Sequence, residues 1–313
     1  MKFQNRVFGL VGICAKMANW NADFSGRPKS TSNNEIFGSD KAFKYPIKYL
    51  WDQEGEKVLY IKSFKEEKEN IQPRSLKERY EHIFDTKLEK KKKGKDVEVL
   101  KNLFSAMDVM NFGATFAAED QNLSIIGAVQ IGQGMNIDVD TSVEIQDILS
   151  PFRNSKKENA DASSLGTKIV VDEAHYLYPF SINPYVYDEY ATNIDGFEGY
   201  TKEAYEKYKD GCLRGVTAFA SNSKFGCDNE YAIFIELKKG SKLALPNLSS
   251  FITLQKENKK VIIDASKLNH LLTEKVLKEV ESIEVYYNPY EIQINGLEGQ
   301  KAQFMNIFTR EVI

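Results

Sequence analysis

The chain has little of what most metalloenzymes and secreted proteins rely on. Only three cysteines occur in 313 residues, Cys14, Cys212 and Cys227, too few and too scattered for a disulfide framework or a zinc site. A reducing, cytoplasmic setting is the expectation. The three histidines, His82, His175 and His270, stand apart with no HxxxH or HxH spacing, so each is read as structural rather than as a metal ligand. Long hydrophobic runs are missing, and no segment approaches the roughly 18 apolar residues of a membrane span. Residues 7–15, behind Lys2 and Arg6, imitate a short secretory signal, but Gly9 and Gly12 interrupt them; residues 5–17 are read as a buried strand. Charge of one sign is lacking too. Forty-two basic against forty-five acidic residues leave −3, which argues against a surface coated in positive potential and still permits a local basic groove. There is no internal repeat and no clear domain linker.

What is present is a 42% hydrophobic composition, able to supply a sizeable core, and one segment with an unusual pattern. Residues 21–29 form a turn-rich loop, and residues 40–51 follow with helical period. Phe43, Ile47, Leu50 and Trp51 recur at i, i+4, i+7 and i+8 and make one apolar face. Lys41, Lys44 and Lys48 form a row beside it, and Pro46 predicts a late start or a kink. A helix that buries one stripe and offers ammonium groups alongside, fed by an Arg/Lys loop, suits a polyanion backbone. Its plain alternative is a solvated helix face.

Further along, residues 57–64 read as a strand and 75–88 as helix. Residues 90–95 form a basic, glycine-broken linker. Residues 97–107 read as a helix with Val97, Leu100, Phe104 and Met107 on one side. Residues 123–131 read as a central strand, being apolar and β-branched. Between this strand and the next, at 169–180, lies a long polar excursion, and loops of that length are usually functional. A helix over 201–225 with Leu213, Val216 and Ala220 as its stripe, a strand over 230–238, a short strand at 260–263 and a helix over 266–280 follow. A hairpin around Asn288-Pro289 closes the series. The order strand–helix–strand, insertions, strand–helix–strand is compatible with an α+β, split βαβ, ferredoxin-like core.

Five features in this order resemble the backbone subunit of type I CRISPR interference complexes (Cascade), of the I-B subtype, within the RAMP superfamily. They are the first strand entering the 21–29 loop, the lysine-bearing helix 40–51, Asp108-Val-Met-Asn-Phe-Gly-Ala-Thr-Phe-Ala117, the strand Gly127-Ala-Val-Gln-Ile131, and Ser164-Leu-Gly-Thr-Lys168 leading into Asp172-Glu-Ala-His-Tyr-Leu-Tyr178. The resemblance implies a single domain over 1–313, an RRM-like palm with an inserted β-hairpin thumb at about 139–170 and a helical insertion at 65–120. It implies CRISPR RNA held by Arg27, Lys29, Lys41, Lys44 and Lys48, with Gln130, Gln133 and Met135 near the sugar-phosphates. In the thumb it points to Phe152, Arg153, Ser164, Leu165 and Lys168, Phe152 or Leu165 being the wedge. Copies would stack head-to-tail along the guide, beside other Cascade subunits, and target DNA would join through the guide duplex. No membrane partner, cofactor or catalytic activity is implied. Two departures stand out: the 21–29 loop is poorer in glycine than in many relatives, and no RRM aromatic stacking motif is evident on the central strands.

Two rivals follow from the same residues. Type III relatives cut target RNA with an aspartate after the first strand, where Asp23 sits here and Asp40 is a second candidate, yet no convergent carboxylate cluster or histidine accompanies either. A protein-interaction or scaffold role would account for the tyrosine-rich run 176–190 and the acidic balance.

Overall fold

The computed structural model describes residues 1–90, 96–149, 165–257 and 260–313. Phe152, Arg153 and Ser164 fall outside them. A nine-stranded sheet organises the chain. Strand β1 is Val7–Ala18. Helix α1 is Asp40–Gln53. Strands β2 (Val129–Ile131), β3 (Gly134–Asn136), β4 (Val143–Leu149) and β5 (Leu165–Ile182) come next. Helix α2 (Lys202–Ala218) and strand β6 (Cys227–Leu237) follow, then β7 (Val280–Tyr287) and β8 (Ala302–Asn306). Across the sheet the order is β8-β7-β6-β1-β5-β3 and the two-residue strand Phe37–Gly38, with β2 and β4 also pairing β5. β1 runs antiparallel to both β5 and β6, from Val7 opposite Ile182 and Glu236.

Both faces of the central strands are buried, which explains their near-continuous apolar runs. Along β6, Ala232 and Phe234 point into one core while Tyr231, Ile233, Ile235 and Leu237 point into the other. The first core lies under α1, α2 and the 76–126 region. The second is closed by residues 243–297, including a small three-stranded sheet of Thr253–Glu257, Lys260–Asp264 and Ile292–Asn295.

α1 buries Phe43, Ile47, Leu50 and Trp51, the face that the helical period predicts. Ser39 caps it by accepting from the Ala42 amide at 3.2 Å, and the helix runs from Asp40 through Pro46 without a late start. Its contact with α2 is close. A Cβ on Gly211 would stand 2.6 Å from Ile47 Cγ2, so glycine sets the approach of the two helices.

Several expected elements differ. Residues 57–63 are not a strand, because their backbone is engaged elsewhere. Asp108 takes the Leu59 and Tyr60 amides and Arg79 donates to the Val58 carbonyl, so these backbone groups are not available to a ladder. The 65–120 insertion is not purely helical: it holds the hairpin Phe64–Glu67/Asn70–Pro73 and starts a second with Gly113–Ala118. Its helix Asp96–Phe104 buries Val99, Leu103 and Phe104 and leaves Val97 exposed, so the apolar face is rotated from the expected one. The segment 123–131 is not one central strand. Gln121–Ile126 pairs with Gly113–Ala118, and the chain then breaks at Gly127, where a Cβ would meet the Phe112 carbonyl carbon at 2.2 Å; only β2 joins the main sheet, at its edge. Helix 201–225 stops at Ala218, and 266–280 holds two single-turn helices, Leu268–Leu271 and Glu274–Leu277. The hairpin about Asn288-Pro289 is replaced by a crossover: β7 stays in the main sheet, and Ile292–Asn295 leaves to pair in parallel with Lys260–Asp264.

Candidate nucleic-acid interface

The lysine row lies along a cleft of about 290 Å³ between α1 and the segment Asp108–Thr115, lined also by Tyr60 and Ile125. Its three members are not equivalent. Lys41 is exposed. Lys44 pairs with Asp40 at 3.0 Å and lies 5.3 Å from the Phe112 ring centre. Lys48 is half-buried and donates to the Tyr60 carbonyl at 2.7 Å, and burial lowers its pKa. Beneath it Asp108 is fully buried, its carboxyl raised by desolvation, with two amide donors and the Lys48 charge acting against that. Lys48 therefore helps to neutralise a buried carboxylate. A lone aspartate within an otherwise apolar Met/Val/Phe segment was the available signal for that role, and the sequence reading did not use it.

The 21–29 loop is a hydrogen-bonded turn. Asp23 Oδ1 accepts from the Ser25 amide and hydroxyl at 2.8 Å and from the Arg27 amide at 3.0 Å, which lowers its pKa, Ser25 contributing most. Neither of the two groupings of potential metal-holding side chains found among the described residues includes Asp23. Arg27 is exposed, and Lys29 Nζ lies 5.7 Å from the Phe37 ring centre. Buried Asn19 clasps the turn to the sheet by donating to the carbonyls of Gly26 at 3.0 Å and Ile169 at 3.1 Å. Phe24 at the tip is wholly exposed.

Gln130 is exposed on edge strand β2 and donates to the Gly127 carbonyl at 2.8 Å. Gln133 is exposed in the turn before β3, and Met135 pairs with Leu177 and Phe37 across β3. Lys168 lies on β5 opposite Gln146, and Leu165 begins that strand opposite Leu149. β4 and the first half of β5 form a two-stranded antiparallel ribbon carrying Val143 and Ile145 opposite Val171 and Ile169 on one face, with Leu149 farther along it. Val143, Ile145, Ile148 and Leu149 are exposed, so β4 lies outside the core, whereas Val171 anchors the base of the ribbon in it.

At the ribbon's root the fold gathers groups that the sequence spreads over more than 100 positions. His175, 1% exposed, stands 3.0 Å from the Glu230 carboxylate through Nδ1 and 3.6 Å from that of Glu173 through Nε2. Burial opposes its charge, and the two carboxylates overcome this and push its pKa up to about 9. Lys256 closes the cluster, 2.6 Å from Asp138 and 2.7 Å from Glu173. Cys14 completes a potential three-ligand set with His175 and Glu230, but burial raises its thiol well above the usual range, and the neighbouring imidazolium and ammonium already neutralise the carboxylates. This chemistry does not suit a metal.

Among the described residues no helix is long and apolar enough to cross a membrane. A family model described as CRISPR-associated protein Cas7 matches residues 5–275. No curated protein matches the chain. Among solved structures, a chain of a CRISPR RNA-guided surveillance complex, pre-nicking, is similar over 96% of each chain, at 12% identity and a TM-score of 0.55. A chain of a CRISPR RNA-guided surveillance complex matches over 89% of this chain and 88% of its own, at 13% identity and a TM-score of 0.45. The first of these carries the same mixed α+β fold, and the family match spans most of the chain, so the protein belongs to the Cas7 family of CRISPR-associated proteins.

Proposed function

We propose that the protein is a CRISPR RNA-binding backbone subunit of a type I surveillance complex of the I-B subtype. In this reading it acts in the cytoplasm, copies assemble head-to-tail along the guide beside other Cascade subunits, and the assembly supports pairing of guide with target DNA without itself catalysing a reaction. The observation that carries this is the family match over residues 5–275. The strands β1, β2/β3, β5 and β6 with α1 and α2 serve as an RRM-like palm, and the β4/β5 ribbon within 139–170 serves as the thumb.

The physics supports the reading. A subunit that accepts any spacer holds phosphates and 2′-hydroxyls, which carry no base information. An RRM stacks bases on an open sheet face. Here residues 243–297 cover that face, which leaves RNA the accessible cations Arg27, Lys41 and Lys44 and the exposed amides of Gln130 and Gln133 as backbone contacts. A two-stranded ribbon is marginal alone, and the exposed apolar face of this one gains from a neighbouring surface. The use of Asp23 as a turn cap favours binding over RNA cleavage.

The test is purification from a host supplying guide RNA. Co-eluting small RNA, raising absorbance at 260 nm over 280 nm, and log affinity for single-stranded RNA that falls with log salt by about 0.7 per phosphate contact are expected. Salt-independent binding, or Mg²⁺-dependent cleavage lost in Asp23→Ala, would overturn it.

A further inference from the structure

Beside the ribbon's root lies a second open cavity, of about 610 Å³, lined by Lys16, Met17, Lys168, Ala220, Ser221, Asn222, Phe225 and Gly226. Three observations set it apart from ordinary surface. Two large apolar side chains stand in water there, Met17 at 50% and Phe225 at 79% exposure. Met17 is also held in a left-handed conformation (φ +48°) inside β1, and the flanking Lys16 and Ala18 pair with Glu173 and Val171 while Met17 itself takes no partner in the ladder. A non-glycine residue in that region is strained, and such strain concentrates at ligand sites. The third is charge. Lys16 is neutralised by Glu173 and Glu291, whereas Lys168 makes no ion pair among the described residues.

The cavity is built rather than incidental. The loop 219–226 is drawn against the end of β1 by the Lys16 amide donating to the Gly226 carbonyl at 2.8 Å. Gly226 has φ +100°, and a Cβ there would stand 2.4 Å from the Lys16 carbonyl oxygen, so only glycine allows the approach. Lys224 fastens the same loop to the Asn19 and Trp20 carbonyls, and Asn19 in turn clasps the Gly26 and Ile169 carbonyls. Phe225, Lys168 and the basic turn at Arg27 are thus held in fixed relation by one set of hydrogen bonds.

We propose that this cavity is a nucleotide subsite for single-stranded RNA: the Phe225 ring and Met17 thioether receive one base, Lys168 its phosphate, and the Ser221 hydroxyl and Asn222 amide the sugar or base edge. This deepens the RNA-binding reading above and rests on it. A flat aromatic wall accepts any base, since each has a π-face. An ammonium that pairs with no described carboxylate, beside two apolar groups, matches a single nucleotide better than a protein segment, which would ask for a broader apolar patch.

The test uses the full chain and single-stranded RNA of mixed sequence, with a second oligonucleotide that lacks bases. Phe225→Ala is expected to fold as the wild type, because the ring is exposed, and to bind the normal RNA about 5- to 150-fold more weakly. It is expected to bind the baseless strand as the wild type does. Phe225→Trp adds an exposed indole to the buried Trp20 and Trp51, and its emission is expected to be quenched by RNA. Equal losses on both strands, or a blue shift that follows protein concentration without RNA, would overturn the subsite and point to a second protein copy. If the wild type binds RNA and Phe225→Ala binds it equally, the subsite alone falls. If the wild type binds no RNA, both readings fall.

Discussion

Lys48→Met and Lys41→Met should fail in opposite ways, although both residues belong to one lysine row. Lys48 donates to the Tyr60 carbonyl at 2.7 Å over a fully buried Asp108, whose carboxylate already holds the Leu59 and Tyr60 amides. Methionine keeps the stem and removes the charge. It leaves the carbonyl without its donor, at a cost of about 1–3 kcal/mol, and strips a compensating charge from Asp108. For a chain of this size that is a fall in melting temperature of roughly 1.5–5 °C. Lys41→Met alters an exposed position, so its stability should stay within about 0.5 kcal/mol of the wild type. Its RNA affinity should fall, and the slope of log affinity against log salt should shrink by about 0.7. Circular dichroism melts and fluorescence anisotropy with labelled single-stranded RNA at four salt concentrations separate the two. A Lys48→Met protein that melts with the wild type and loses as much affinity as Lys41→Met would refute the assignment and put both ammonium groups on the RNA.

His175 has its folded pKa raised from 6.5 to about 9, with Glu230 and Glu173 facing it, Lys256 and Lys16 on Glu173, and Cys14 nearby. Its stabilising contribution is therefore complete below about pH 6.5 and lost as pH rises through about 9; urea midpoints should fall over that window in the wild type and stay flat in His175→Gln, and equal slopes would contradict the ion cluster. Gly211→Ala should destabilise by about 1–3 kcal/mol, because the new methyl meets Ile47 Cγ2 at 2.6 Å in the α1–α2 contact; an unchanged denaturation midpoint would show that the helices part freely. Ile145→Glu with Leu149→Glu, on the exposed ribbon face, should leave the melting temperature unchanged while preventing RNA-dependent growth of assemblies in light scattering; a drop in melting temperature would place these side chains in the core.

The sequence alone determined whatever depends on local period. The apolar stripe Phe43–Ile47–Leu50–Trp51 specifies α1 and its buried face, and the apolar runs in β1, β5 and β6 specify central strands, since side-chain burial over a few turns or pleats outweighs everything else there. Asp23 as a turn residue was legible for the same reason, its partners lying two and four positions away. Tertiary structure decided whatever rests on partners far along the chain. Residues 57–63 have strand composition, and Asp108, some 50 positions on, takes their amides and denies them a ladder. Lys48 differs from Lys41 because it is half-buried, donates to the Tyr60 carbonyl and lies over that same carboxylate. His175, Glu230, Asp138 and Lys256 form one charged cluster across 118 positions, which no spacing rule detects. The covering of one sheet face by residues 243–297 also belongs to the tertiary level. Period records which side of an element is buried; it does not record what buries it, and that choice sets which lysines remain free for RNA.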